Sequence, residues 1–313
     1  MQNTALKELP WPAHDPKVSV IMPIYNTERY LETAIRSILQ QNFTDFELIA
    51  VDDGSTDRSG AILDWLAAED ARIVVLRQTN QGVTKALNAG LAVARGDYIA
   101  RMDSDDIARS DRFTRQVAEL DERPNIVALG TQFSLIDPDG RTLKNMAMPL
   151  HHADLDARLF DRQVLSICHP SAMMRASVLK KIGGYNEDFS SAQDIDLFLR
   201  LAEVGELANL EDVLMSYRIH TKSMGYTNRP TQIQNAWRAG KQAAERRNKA
   251  FKTPKPKANA GQRSKADICR MWGWWALSGG QVATARHYGR RAVLANPFSR
   301  HNWKLALISL RGY

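Results

Sequence analysis

Two clusters of carboxylates, each set directly after a strand-like apolar run, constrain this chain more than any other feature. Asp52-Asp53-Gly54-Ser55-Thr56-Asp57 follows Glu47-Leu48-Ile49-Ala50-Val51, and Asp103-Ser104-Asp105-Asp106 follows Asp97-Tyr98-Ile99-Ala100-Arg101-Met102. Carboxylates packed this tightly repel one another unless a cation lies among them. At the C-terminal ends of parallel strands they would face the crevice where open α/β sheets bind ligands. The pattern points to a metal-assisted nucleotide site.

The surrounding periodicity agrees. Val18-Ser19-Val20-Ile21-Met22-Pro23 reads as a buried first strand, and Tyr30, Leu31, Ala34, Ile35, Ile38 and Leu39 recur at helical spacing. A second strand is expected over 46–51, with Ser55 or Asp57 placed to cap a helix carrying Ile62, Leu63 and Leu66. A third strand over 73–76, a helix over 82–94 and a fourth strand over 97–102 complete the alternation. Strands alternating with helices predict an α/β fold whose parallel sheet is covered on both faces. Beyond Asp106 the pattern predicts a helix over 112–120 and short strands over 126–129 and 132–136. A turn at Asp137-Pro138-Asp139-Gly140 follows. Next come a helix over 176–182 ended by Gly183-Gly184, an amphipathic helix over 194–204 and a strand over 208–217. A Lys-, Pro- and Ala-rich linker over 252–261 leads to three more helices, over 264–277, 281–295 and 299–310.

Charge divides the chain. Residues 221–313 carry 19 Lys and Arg against two Asp and Glu, whereas residues 1–220 carry 23 against 33. Five of the seven Trp (Trp237, Trp272, Trp274, Trp275, Trp303) lie in the basic part. Such a tail fits a solvated or homodimerising helical appendage, or a surface that meets anionic lipid with Trp at the interface. Nucleic-acid binding is the weakest of the candidate roles and is not expected. No apolar run reaches about 18 residues, so no transmembrane helix is expected. The polar N-terminus lacks a signal-peptide apolar region, and Cys168 and Cys269 form no redox or metal motif. These features predict a cytoplasmic protein, peripheral on the inner membrane face if the tail binds lipid.

Mg²⁺ and Mn²⁺ prefer hard oxygen ligands, and Asp103, Ser104, Asp105 and Asp106 offer them on one short turn. Taken alone, the cluster reads equally well as a polar loop with a helix cap. A carboxylate after the second strand can accept hydrogen bonds from a base or ribose, and Gly54 permits a tight turn there. Between the clusters, Asn80-Gln81-Gly82-Val83-Thr84-Lys85 can aim a helix N-terminus and Lys85 at a phosphate, or simply start a capped helix.

Together these segments resemble the family 2 glycosyltransferases of bacterial polysaccharide and cell-envelope assembly. The motifs that carry the resemblance run in the family's order: Val18 to Asn26; Tyr30-Leu31 to Gln40-Gln41; Val51 to Asp57; Asn80-Gln81-Gly82; Ala86-Leu87-Asn88; and Gly96-Asp97-Tyr98-Ile99 with Asp103-Ser104-Asp105-Asp106. The resemblance covers about residues 17–224. It implies the GT-A fold, a Rossmann-like, mostly parallel sheet flanked by helices, here with a C-terminal helical extension. Residues 1–16 are then an N-terminal extension, 17–106 a nucleotide-binding part, 107–224 an acceptor part and 225–313 the basic helical region.

The resemblance also implies roles. Pro23, Tyr25, Asn26 and Asp53 line the nucleotide pocket, with Asp53 on the base, and Gly82, Lys85 and Ser104 belong to the same donor site. Asp103 lies near the ribose, and Asp105 holds Mn²⁺ or Mg²⁺ on the diphosphate, with His220 as a further metal ligand. Asp194, after Gly183-Gly184-Tyr185, matches the family's base, and Gln193 stands where the family usually has Glu. His169 and Arg218 match positions on the acceptor or diphosphate side. The implied reaction is an inverting transfer from a nucleotide-diphospho-sugar, with a UDP-sugar favoured. The acceptor is a saccharide or a polyprenyl-diphosphate-linked one. Two rivals remain: a nucleotidyltransferase, disfavoured because Pro23 to Glu28 replaces a Gly-rich triphosphate loop, and a non-catalytic nucleotide-sugar binding module.

Overall fold

A computed structural model describes residues 14–162, 164–221, 223, 229–256 and 264–312. Most of the N-terminal extension (1–13), Lys222 and part of the predicted linker (257–261) lie outside the described residues.

In chain order the elements are β1 (Val18–Ile24), α1 (Leu31–Leu39), β2 (Phe46–Asp52), α2 (Ser59–Glu69), β3 (Ile73–Arg77), α3 (Val83–Val93), β4 (Tyr98–Arg101), β5 (Ile107–Ala108), α4 (Arg112–Glu122) and β6 (Ile126–Ile136). There follow β7 (Thr142–Met146), α5 (His152–Arg162), β8 (Met173–Arg175), α6 (Ala176–Lys181), α7 (Gln193–Leu201) and β9 (Glu206–Arg218). The last helices are α8 (Arg229–Arg246), α9 (Lys265–Ser278), α10 (Val282–Ala295) and α11 (Arg300–Arg311). The chain divides into two compact units: residues 1–132, 148–215 and 231–256 form the first, and 133–147, 216–230 and 257–313 the second.

In the first unit the strands run in the order β3-β2-β1-β4-β8-β6-β9-β5. β1 pairs in parallel with both β2 and β4, and β2 with β3. The chain thus steps outward from β1 to β3 and returns to the other side of β1 for β4. That reversal is a topological switch point, and a crevice opens there at the C-terminal strand ends. β1 and β2 are buried along their whole length, as expected of strands with helices on both faces. Beyond β4 the parallel pattern stops, because β8 pairs antiparallel with both β4 and β6.

Buried charge pins the N-terminal edge of this sheet. Glu47, fully buried in β2, accepts from Ser19 Oγ (2.6 Å), from the Arg95 backbone N–H (3.1 Å) and from the Arg95 guanidinium (2.8 Å). A buried carboxylate is tolerable only when matched in this way.

Two expected strands, 126–129 and 132–136, are one continuous strand. Gly130 suggests a break in sequence, but a Cβ there would lie 2.1 Å from Asn209 Oδ1 and 2.6 Å from Ile167. This glycine permits close packing and makes no turn. The helix expected to be capped by Ser55 or Asp57 begins at Ser59, whose N–H donates to Asp57 Oδ1 (2.9 Å). α5, β5, β7, β8 and α8 were not anticipated. α8 buries the small residues Ala236, Ala239, Gly240, Ala243 and Ala244.

In the second unit, β6 residues Phe133–Ile136 pair antiparallel with β7. The predicted turn 137–140 forms around Asp137, which is fully buried and accepts from Asp139 N–H, Arg141 N–H and the Tyr288 hydroxyl (2.8 Å). α9, α10 and α11 pack through small contacts, such as Gly289 against Ala306. Among the described residues, no helix is long and apolar enough to cross a membrane.

Candidate active site

The crevice at the switch point is built by the loops after β1, β2 and β4, together with the start of α3. Two of these loops are laced to each other. Asn26, in the left-handed region at φ 53°, accepts the Thr56 N–H on Oδ1 (2.7 Å), and its own N–H donates to Ser55 Oγ (3.1 Å). Asn is one of the few non-glycine residues that adopt this conformation cheaply. Pro23 is buried in β1, and Tyr25, just beyond that strand, is 49% exposed.

Asp53 joins the second loop to the segment that leads from β3 into α3. Its buried carboxylate accepts from Gln78 Nε2 (2.7 Å), Gln81 N–H (2.8 Å) and Gly82 N–H (2.8 Å). The last of these donors opens α3, where an anion is favoured by the helix dipole. Gly54 then has to turn at φ 74° against the same loop, and a Cβ would lie 2.7 Å from the Asn80 backbone nitrogen. Gly82 adopts φ 89° as it leads into α3, and Lys85 on the first turn is exposed.

After β4, Asp103, Asp105 and Asp106 each bring a carboxylate oxygen within 4.8 Å of the others. Ser104 is buried among them. Arg101, itself 2% exposed, holds Asp103 by an ion pair of 2.5 Å and also donates to the Met102 carbonyl. Burial nevertheless pushes the Asp103 carboxyl above its ordinary range, Arg101 opposing and Asp105 reinforcing. Beneath the cluster, Arg112 is fully buried and donates to the Arg101 carbonyl (2.9 Å) and Gln116 Oε1 (3.0 Å). Burial pulls its guanidinium down to about 9. A set of hard carboxylate oxygens this close together fits a divalent cation of the Mg²⁺ or Mn²⁺ type.

Asp194 lies on the first turn of α7 and is 9% exposed. Its Oδ1 accepts the Ile195 N–H (2.9 Å). Burial pushes its carboxyl up to about 6, against that hydrogen bond and the Arg101 charge, while the Asp103 charge reinforces the rise. Arg101, Asp103 and Asp194 are therefore within electrostatic reach of one another. Gln193 is buried beside it. Four hydrogen bonds fix the entry to α7. Asn88 on α3 accepts the Tyr185 N–H (3.0 Å) and donates to the Tyr185 carbonyl (2.9 Å). Asn235 on α8 donates to the Ser191 carbonyl and hydroxyl (both 3.1 Å). Ala192 takes the left-handed conformation at φ 56°, a strain of about 1 kcal/mol that the braced surroundings hold in place.

His169 is buried, with Nε2 2.7 Å from the Tyr185 hydroxyl. Burial, aided by the Arg101 charge, lowers its pKa well below the usual imidazole value and keeps the ring neutral. Arg218 and His220 belong to the second unit. There Arg218 is buried and donates to the Asp137 and Pro138 carbonyls (3.1 and 3.3 Å), and His220 N–H donates to Ser223 Oγ (3.2 Å).

Arg101, Tyr185 and Asn235 escaped the sequence reading of the site. Arg101 and Asp103 are two residues apart on extended chain and so face the same side, a signal present in the sequence. Asn235 carries no local signal, because its partner lies 44 residues away.

The family model described as "Glycosyl transferase family 2" matches residues 19–183. A putative glycosyltransferase of Bacillus subtilis, EpsE, is 36% identical over 219 residues, covering 68% of this chain and 76% of that one. An uncharacterized glycosyltransferase of Haemophilus influenzae is 33% identical over 66% of each chain. Chondroitin synthase of Escherichia coli is 28% identical over 74% of this chain but only 33% of its own length. Among solved structures, S. aureus TarS 1–349 in complex with UDP-GlcNAc matches at TM-score 0.58 and 19% identity, over 94% of this chain and 79% of that one. The mannosyltransferase PcManGT from Pyrobaculum calidifontis, in complex with GDP-Man and Mn2+, matches at TM-score 0.58 and 20% identity, over 99% and 86%. At these identities the structures speak for the fold.

Replacing Gly54 by Ala is expected to destabilise the protein by about 1–3 kcal/mol, from the φ penalty and the encounter with the Asn80 backbone. A denaturant melt checks this, and an unchanged midpoint would show that the two loops are not tightly joined.

Proposed function

This chain belongs to glycosyl transferase family 2, with the GT-A fold, and from that premise we propose an inverting transfer of a sugar from a nucleotide-diphospho-sugar to a saccharide or lipid-linked saccharide acceptor. A UDP-sugar is the favoured donor, and cell-surface polysaccharide synthesis the favoured setting. The observation that carries the proposal is the convergence of three carboxylates after β4, at the switch-point crevice, with a buried Asp194 in electrostatic reach. The complexes of TarS with UDP-GlcNAc and of PcManGT with GDP-Man and Mn2+ support a nucleotide-sugar and a divalent metal as ligands of this fold.

In this proposal the base stacks on the exposed Tyr25 ring beside Pro23 and the Asn26 loop. Asp53 presents whatever acceptor capacity its three N–H partners leave. Gly82 and Lys85 at the start of α3 face the phosphates. Asp105 holds the cation, with Asp106 in reach, while Asp103, paired to Arg101, is oriented for the ribose. The metal supplies Lewis-acid stabilisation of the leaving diphosphate. Asp194 takes the proton from the acceptor hydroxyl as that oxygen attacks the anomeric carbon, and Gln193 offers the acceptor a neutral hydrogen-bonding group. A carboxylate raised by burial is a stronger base than an exposed one and still ionises near neutral pH. His169 supports this wall indirectly, through Tyr185.

Asp194→Asn keeps the shape and loses the base. Transfer, read as release of nucleoside diphosphate in the presence of acceptor, should fall by about 10²–10⁴-fold. Donor affinity by calorimetry should hardly change. Full transfer by the variant would remove Asp194 from the mechanism.

The pH profile gives an independent check. Asp194 must be ionised to accept a proton, so activity is present above its pKa and lost as pH falls through about 6. Between pH 7 and pH 5, kcat/KM should drop roughly tenfold. An acid limb with its midpoint near 4 would mean that the working base is an unperturbed carboxylate.

A further inference from the structure

The second unit presents large apolar side chains to solvent along α10, α11 and the connection between them. Leu294 at the end of α10 is 82% exposed, and Phe298, in the connection to α11, is 95% exposed. Trp303, Leu307 and Leu310 on α11 are each about half exposed. At 100° per residue these three form one stripe, opposite the buried face made by Asn302, Leu305 and Ser309. Arg300, Lys304 and Arg311 fall along one side of the stripe. Trp303 donates its indole N–H to the Pro297 carbonyl (2.7 Å), so the ring's polar handle is satisfied within the protein while its apolar body stays accessible.

Single exposed apolar residues need no explanation, but a stripe of three on one helix with two more in the preceding turn region does. Their electrostatic setting decides among partners. Residues 282–312 carry six Lys and Arg and no Asp or Glu. Pairing this surface with a second copy of itself would bring like charges together. Nucleic acid would match the charge and leave Leu294, Leu307 and Leu310 without a partner. An anionic bilayer satisfies both: headgroups neutralise the cations, and Phe, Leu and Trp enter the boundary between headgroups and acyl chains.

We propose that the α10–α11 end of the second unit docks on an anionic membrane surface, with Leu294 and Phe298 inserted and Arg300, Lys304 and Arg311 at the headgroups. This docking is independent of the donor chemistry proposed above and can succeed or fail without it.

The test is flotation of the full chain with vesicles of phosphatidylcholine alone or mixed equally with phosphatidylglycerol, at about 20 and about 500 mM salt. The protein should float with the anionic vesicles at low salt and stay behind with the neutral ones. High salt, the pair Leu294→Ser and Phe298→Ser, or the pair Arg300→Glu and Lys304→Glu should each cut the floating fraction at least about fivefold. Because these side chains are exposed, the unfolding midpoint of both variants should match the parent. Failure of the parent to float on anionic vesicles at low salt overturns the proposal, as does equal flotation on neutral ones or by the variants. A stable dimer that Leu294→Ser with Phe298→Ser dissociates, without flotation, would assign the surface to a second copy instead.

Discussion

Crowding of negative charge at one edge of the parallel sheet is the constraint to which the rest of the first unit answers. β2 and β4 flank β1, and both end in carboxylates, so five acidic side chains (Asp52, Asp53, Asp103, Asp105 and Asp106) gather around the switch point. Each of three is settled by a different local device. Asp52 Oδ1 takes the Ser55 N–H (2.9 Å), Asp53 takes three donors from the loop before α3, and Asp103 takes Arg101. These devices leave Asp105 and Asp106 grouped with Asp103 at metal-ligand spacing. Electrostatic repulsion has been converted into preorganisation, which a transfer that builds charge on a diphosphate can use.

The same economy governs the surroundings of Asp194. Asp194 owes its raised pKa to burial, and its burial depends on elements far apart in sequence. Asn88 on α3 holds the Tyr185 backbone, Asn235 on α8 holds Ser191, and Arg238 donates to the Asp188 carbonyl (2.5 Å) while lying over the Phe189 ring (4.1 Å). Two members of the basic C-terminal third, Asn235 and Arg238, therefore act as braces for the first unit. The basic residues of α10 and α11 lie at the surface of the second unit, where their charge is available to a partner.

Much of this was legible in sequence, for identifiable reasons. The four parallel strands announced themselves because strands buried on both faces are continuous apolar runs, and Asp53 and Asp105 stood out because carboxylates follow those runs directly. Asn88 was visible as part of a motif, but its task of clamping Tyr185 97 residues away was not. The strand expected in two pieces, 126–129 and 132–136, is continuous because Gly130 lets Asn209 and Ile167 pack close without a turn. β8 and α8 were missed for another reason. A three-residue strand has too few residues to show a period, and α8 buries a stripe of Ala and Gly that hydrophobic periodicity barely registers.

The central claim is that the carboxylates after β4 bind the donor through a divalent cation. Isothermal titration of UDP-GlcNAc and GDP-Man, with Mn²⁺ and with EDTA, on the parent protein and on Asp105→Ala, tests it most directly. The account predicts measurable affinity for at least one of the two donors with Mn²⁺, and a loss of at least about tenfold both in EDTA and in Asp105→Ala. Equal affinity with and without the metal, or an Asp105→Ala protein that binds as the parent does, would contradict it.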